Sequence, residues 1–308
     1  MQLAHPTDLS AGARFIDPKV LARIGNLELV ARVVVEGFIN GLHRSPHLGL
    51  SMDFAEHRAY MPGDDIRRID WRVFGRSERF YVKEFEADTN TNFAVLLDVS
   101  RSMTFSSPGA GLSKLDYGRC LAACLAYFSH RQRDRVGLVT FGDDVVDYVP
   151  PSAKHLPIVL HTLDRLTPAD QGGLEKPFRK IAENFRRRSI LLVISDLYEE
   201  PEAILGALNH LRNKGNDLIV MQVLDPAELE FPFDEAANFE DLESGVAIPV
   251  VPDYLRDQYR ALMAAHTSGV SRLLGQNNID YALFDTSRPL DHALFSYLSR
   301  RQQLMRVR

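Results

Sequence analysis

The chain has 308 residues, 45% of them hydrophobic and 25% charged, and a net charge of −5. That length suits one large domain or two modest ones with a sizeable core, and the acidic balance excludes general affinity for nucleic acid, which rests on neutralising phosphates with basic groups. The N-terminus lacks the basic start and apolar core of a signal peptide, and no apolar run is long enough to cross a bilayer; with only two cysteines, these features predict a reduced, cytoplasmic protein without a membrane span.

Residues 1–17 show no clear periodicity. A helix is predicted next, because Val20, Leu21, Ile24, Leu27, Val30, Ala31, Val34 and Val35 recur at threes and fours. Pro18 suits its first turn, and Gly37 or Gly41 should end it. From Gly41 to Glu86 the chain is dense in polar residues, with a turn at Pro62-Gly63 and a strand of mostly alternating character over 79–86. Asp64, Asp65 and Asp70 interleave with Arg58, Arg67, Arg68, Arg72 and Arg76. This pattern serves either a functional surface of carboxylates fixed by bidentate arginines or an ion-pair network that holds a small subdomain together. Trp71, the single tryptophan, reads as a packing anchor there.

From Asn92 strands and helices alternate. Strands are predicted over 93–98, 136–141, 145–149, 189–196, 217–224 and 279–284. Helices are predicted over 114–131, 153–165, 174–187, 201–214, 252–275 and 289–301, with 225–250 irregular. Cys120 and Cys124 fall four apart in the first of these helices, as small buried hydrophobes. Alternation of this kind implies a doubly wound, mostly parallel α/β sheet covered on both faces.

Phe93-Ala94-Val95-Leu96-Leu97 runs straight into Asp98, followed by Ser100 and Ser102. A buried strand delivers such residues to the sheet edge where ligands bind in open α/β sheets. Hard oxygens from Asp and Ser suit Mg²⁺ or a similar ion rather than zinc; equally, such residues can merely cap the next helix. Asp196 ends a second buried strand, and two acids at strand ends of one parallel sheet can meet at one crevice, which favours the metal.

The D-V-S-R-S segment, the V-G-L-V-T-F-G strand and the later I-S-D strand end resemble a von Willebrand factor A domain. The resemblance implies a metal-ion-dependent adhesion site with Asp98, Ser100 and Ser102 on one loop and Asp196 on another, binding Mg²⁺ or Mn²⁺. The threonine that such a site uses should fall in Gln171-Gly172-Gly173-Leu174, where none stands; the nearest is Thr167. The pieces G-L-H-R-S-P, S-M-D-F-A-E-H-R-A-Y-M-P-G-D-D-I-R-R-I-D-W, V-K-E-F-E and L-D-P-A-E-L-E-F-P-F resemble a bacterial family of unknown function that joins an N-terminal module to an A-type domain. This implies a module at 1–90 and an A-type domain at 91–308. Members of that family are typically encoded beside MoxR-type AAA+ ATPases, which implies an ATPase partner and its client.

Three functions remain at this point. One is a non-enzymatic adaptor or co-chaperone whose metal accepts a partner's carboxylate. Another is a scaffold with a metal-free site that works through 41–86. The third is a Mg²⁺-dependent phosphohydrolase with Asp98 as nucleophile, although Ser100 stands where such enzymes place a second acid. No phosphate-binding lysine loop, G-x-S-x-G or H-E-x-x-H occurs.

Overall fold

Three runs without a polar residue, Phe93–Leu97, Ile190–Ile194 and Leu218–Met221, become neighbouring strands buried on both faces. The computed structural model describes residues 26–43, 57–59, 74–75, 80–83, 91–108, 110–185 and 188–290. By their contacts they fall into two units, Ile39–Thr89 and the remainder, Met1–Phe38 with Asn90–Arg308.

The larger unit is built on a six-stranded sheet. Its strands are β3 (Asn92–Asp98), β4 (Arg135–Phe141), β5 (Val145–Ser152), β6 (Ser189–Ser195), β7 (Asp217–Leu224) and β10 (Asp280–Asp285), in the order β10-β7-β6-β3-β4-β5. All pairings are parallel except that of β4 with β5, a hairpin. From β3 the chain runs outward to β4 and β5, then returns to the other side of β3 for β6, β7 and β10. The winding direction therefore reverses between β3 and β6, which is where doubly wound sheets form their ligand crevice. The expected α/β class and mostly parallel sheet are what the chain adopts.

Helix α1 (Leu27–His43) runs through Gly37 and Gly41, where the sequence suggested an end. Its buried residues are Leu27, Val30, Ala31, Val34 and Val35. Helix α2 (Lys114–Arg131) matches its predicted bounds. Gly118 brings it close to the sheet, since a Cβ there would lie 3.1 Å from Leu97 Cδ1 and 3.3 Å from Ile194 Cγ2. Helices α3 (Leu156–Asp164), α4 (Glu175–Asn184) and α5 (Pro201–Arg212) follow. Phe178, Ile181, Ile204, Leu208 and Leu211 of α4 and α5 share one core cluster with Ala94, Leu96, Leu191, Val193 and Val220. Cys120 and Cys124 are buried and are not joined by a disulfide.

The segment 225–250 is not irregular. It forms a short helix, α6 (Pro226–Glu230), and an antiparallel pair, β8 (Ala237–Glu240) with β9 (Ala247–Val250). A capping box, Asp225 with Glu228, starts α6. Helix α7 (Pro252–Gln276) then leads to β10. Among the described residues no helix is long and apolar enough to cross a membrane.

In the smaller unit, β1 (His57–Ala59) pairs antiparallel with β2 (Tyr81–Lys83), and Phe74 stacks on Phe80 at 4.4 Å between ring centres. Apart from Arg58 in β1, the acid and arginine array of 41–86 lies outside the described residues, as do Trp71, residues 1–17 and the last predicted helix beyond residue 290.

Candidate metal centre

Strand β3 ends at Asp98, and the next backbone groups tie two loops to that edge. Val99 N–H donates to the Phe141 carbonyl at 2.8 Å, and Ala169 N–H donates to the Val99 carbonyl at 2.7 Å. The loop before α4 can settle there because residue 142 is glycine: a Cβ on it would lie 2.6 Å from Gln171 O and 2.7 Å from Ala169 Cβ.

Asp98, Ser100 and Asp196 are each at least 96% buried. Asp98 Oδ1 accepts the Ser100 N–H at 2.9 Å, and its Oδ2 accepts the Ser195 hydroxyl at 2.6 Å. Ser195 Oγ in turn accepts Leu197 N–H at 3.1 Å. Burial, reinforced by the nearby charge of Asp196, pushes the Asp98 carboxyl up to about 7. Asp98 and Asp196 thus stand at the ends of the neighbouring strands β3 and β6, at the switch point, near enough for the charge of one to bear on the other. Ser100 Oγ and Ser102 Oγ lie 3.1 Å apart. An octahedral Mg²⁺ with oxygen bonds of about 2.1 Å has adjacent ligands about 3.0 Å apart. The two hydroxyls are hydrogen-bonded to each other at this distance, which also matches the spacing of two neighbouring Mg²⁺ ligands.

The serines do not serve as a simple helix cap. Ser100 occupies the position before the 3₁₀ turn Arg101–Thr104 and makes no side-chain capping bond to it.

Behind Asp196 lies a buried cation that the sequence reading missed. Lys114 Nζ donates to Asp196 Oδ2 at 2.8 Å and to Glu228 Oε1 at 2.7 Å. It sits 4.7 Å from the centre of the Tyr198 ring. Burial alone would lower the Lys114 pKa, but Asp196 and Glu228 outweigh it and hold it above its ordinary value. Glu228 is fully engaged, with Oε2 accepting Asp225 N–H at 2.8 Å. Lys114 thus neutralises one oxygen of Asp196 from below. A signal existed: position 114 lies four and seven residues before Gly118 and Leu121, on the inward face of α2.

The threonine position is filled differently. Gly172 lies so close to Ser100 that a Cβ would come within 2.8 Å of Ser100 Cβ and 3.3 Å of Ser100 Oγ. Thr167 stays exposed and does not line the cavity beside the site. The candidate donors are therefore two carboxylates and two hydroxyls; among the described residues no three or more His, Cys, Asp or Glu side chains are grouped so as to hold a metal ion. The cavity measures about 970 Å³ and is shared by all four donors and by apolar side chains, including Phe231, Phe239, Ile248 and Leu255.

Residues 56–269 match the model of the family described as "Protein of unknown function DUF58". The chain belongs to the DUF58 family. This DUF58 chain is similar to the uncharacterized protein Rv1480 of Mycobacterium tuberculosis, 28% identical over 283 residues that cover 88% of this chain and 86% of the relative. Among solved structures it is similar to the conserved hypothetical protein BatB from Bacteroides thetaiotaomicron, at 18% identity and a TM-score of 0.48, over 69% of this chain and 99% of that one. It is also similar to the SpRpn10 VWA domain, at 10% identity and a TM-score of 0.39, over 66% of this chain and 92% of that one. Both likenesses are ones of fold.

Proposed function

We propose that this DUF58 chain is a non-enzymatic, cytoplasmic protein-interaction module that holds a divalent cation with Asp98, Ser100, Ser102 and Asp196. The 3.1 Å pair of serine hydroxyls beside two buried carboxyl groups at the switch point is the observation that carries this reading. Bound Mg²⁺ or Mn²⁺ would supply a Lewis-acidic position for a carboxylate from a partner. The chain's own residues prepare that position. Ser195 and the Ser100 amide fix both oxygens of Asp98. Lys114 holds Asp196 by one oxygen, leaving the other for the cation. The partner is an AAA+ ATPase of MoxR type acting on a client protein, for which this chain serves as adaptor or co-chaperone. That partner rests on the resemblance carried by the Gly63-Asp64-Asp65 to Asp70-Trp71 signature.

A metal-free scaffold is the second reading. It is favoured by the Lys114 ammonium already paired with Asp196 and by the glycine at the threonine position. A phosphohydrolase meets Ser100 where it needs a second acid.

Calorimetric titration of the full chain with Mg²⁺ and Mn²⁺ decides between the first two readings. The proposal expects binding that Asp98→Asn removes, together with loss of cation-dependent retention of the ATPase in a pull-down. Silence of the wild type at millimolar ion favours the scaffold and overturns the metal site.

A further inference from the structure

Hairpin β8–β9 carries an acid into the space beside Ser100. If Gly172 had a Cβ, Glu243 Oε1 would lie 2.8 Å from it, as would Ser100 Cβ. The carboxylate therefore fills the gap left by the absent side chain of the Gln171–Leu174 loop. Its backbone is held for the purpose. Asp241 Oδ1 accepts Glu243 N–H at 2.9 Å, and Asp241 Oδ2 accepts the Ser244 hydroxyl at 2.8 Å. Gly245, at φ +69°, closes the turn with its N–H on the Asp241 carbonyl at 2.8 Å.

Glu243 has acidic company. Among the described residues no lysine or arginine forms an ion pair with it. Its charge, with burial and Asp196, helps push the Glu199 carboxyl above its ordinary value. Lys114 is committed to Asp196 and Glu228. Glu243 is part-exposed and lines the same cavity as Asp98, Ser100, Ser102 and Asp196, so a cation entering there has a third carboxylate on the cavity wall.

We propose that Glu243 is a ligand of the divalent-cation site, supplied by hairpin β8–β9 in place of the threonine that the Gln171–Leu174 loop lacks. This rests on the metal reading above. The ion draws the carboxylate in from its place against Gly172 and so fastens the hairpin over that side of the cavity. A partner's carboxylate then competes with a tethered one, and the site responds to partners only when they bind more favourably than Glu243.

The test uses the full chain, Mn²⁺ as probe, calorimetry for affinity and hydrogen exchange for the hairpin. The wild type should bind Mn²⁺, and binding should slow exchange across 240–246. Glu243→Gln should weaken Mn²⁺ at least tenfold and abolish that slowing. Glu240→Gln, on the same hairpin, should leave affinity within about twofold, which separates a ligand from a general charge effect. Equal Mn²⁺ affinity in Glu243→Gln with the protection retained overturns the role of Glu243, and so does tighter binding. If Asp98→Asn loses the ion while Glu243→Gln keeps it, the metal site stands and only the hairpin ligand falls. A wild type that binds no Mn²⁺ overturns both.

Discussion

At the scale of single residues, the fully buried ammonium of Lys114 is the most consequential group that the sequence did not announce. It has no exposed surface and bridges Asp196 to Glu228 at 2.8 and 2.7 Å. Removing one partner of such a group strands the other charges in a low-dielectric interior, at a cost of about 3–5 kcal/mol. Lys114→Met keeps the aliphatic stem and deletes the charge, so it should lower unfolding stability by roughly that amount in urea titrations. Combining it with Asp196→Asn should recover part of the loss, because fewer uncompensated charges remain. Strictly additive losses would show that the contact is not a coupled pair. Lys114 escaped notice because a lysine in the first turn of a helix reads as solvent-facing, even on an apolar stripe. Asp98 and Asp196 were visible because each ends a run that only a buried strand explains.

Elements differ in legibility for the same physical reason. Strands β3, β6 and β7 and helix α2 are steeped in apolar residues whose spacing matches the structure almost residue for residue. Strands β8 and β9 are mostly exposed, carry Asn238, Glu240 and Pro249, and lack a buried face to impose alternation. Their pairing is set by the turn and by tertiary packing, which a local pattern does not encode. The site loop lies between these cases. Gly172 and Gly173 look equivalent in sequence, but only Gly172 is pressed against Ser100 and Glu243, whereas a Cβ at Gly173 meets no atom within 4 Å. Gly172→Ala should therefore cost about 1–3 kcal/mol through crowding against Ser100. It should also weaken Mn²⁺ by displacing Ser100 Oγ and Glu243. Gly173→Ala should leave the melting temperature and Mn²⁺ affinity close to wild type. Equal behaviour of the two variants would mean that the loop does not close on Ser100 as described.

For the molecule as a whole, the proposed cation site predicts a stability that depends on pH and on cation together. The Asp98 carboxyl is pushed from 3.8 up to about 7 in the fold, so folding favours its protonated form. The stabilisation tied to that proton is fully present below about 3.8 and is lost as pH rises through about 7. Other carboxylates titrate over the same range, and the difference between wild type and Asp98→Asn isolates this one. The variant keeps the oxygen that accepts the Ser100 amide and carries no charge at any pH. In chelator, Asp98→Asn should match the wild type only below about pH 3.8, draw ahead as pH rises, and melt several degrees higher near pH 8, since about 1 kcal/mol moves the melting point by about 2–4 °C in a domain of this size. Added Mg²⁺ should close that gap at pH 8 by stabilising only the wild type, because an ion that binds the folded state alone shifts unfolding by mass action. At pH 5 the same Mg²⁺ should have little effect, since the proton and the cation compete for one carboxylate. Melting curves that run parallel at all pH values, with and without Mg²⁺, would mean that Asp98 is neither strained in the fold nor a cation ligand. A gap in chelator that Mg²⁺ fails to close would leave the strain and remove the ion, making Lys114 the site's resident positive charge.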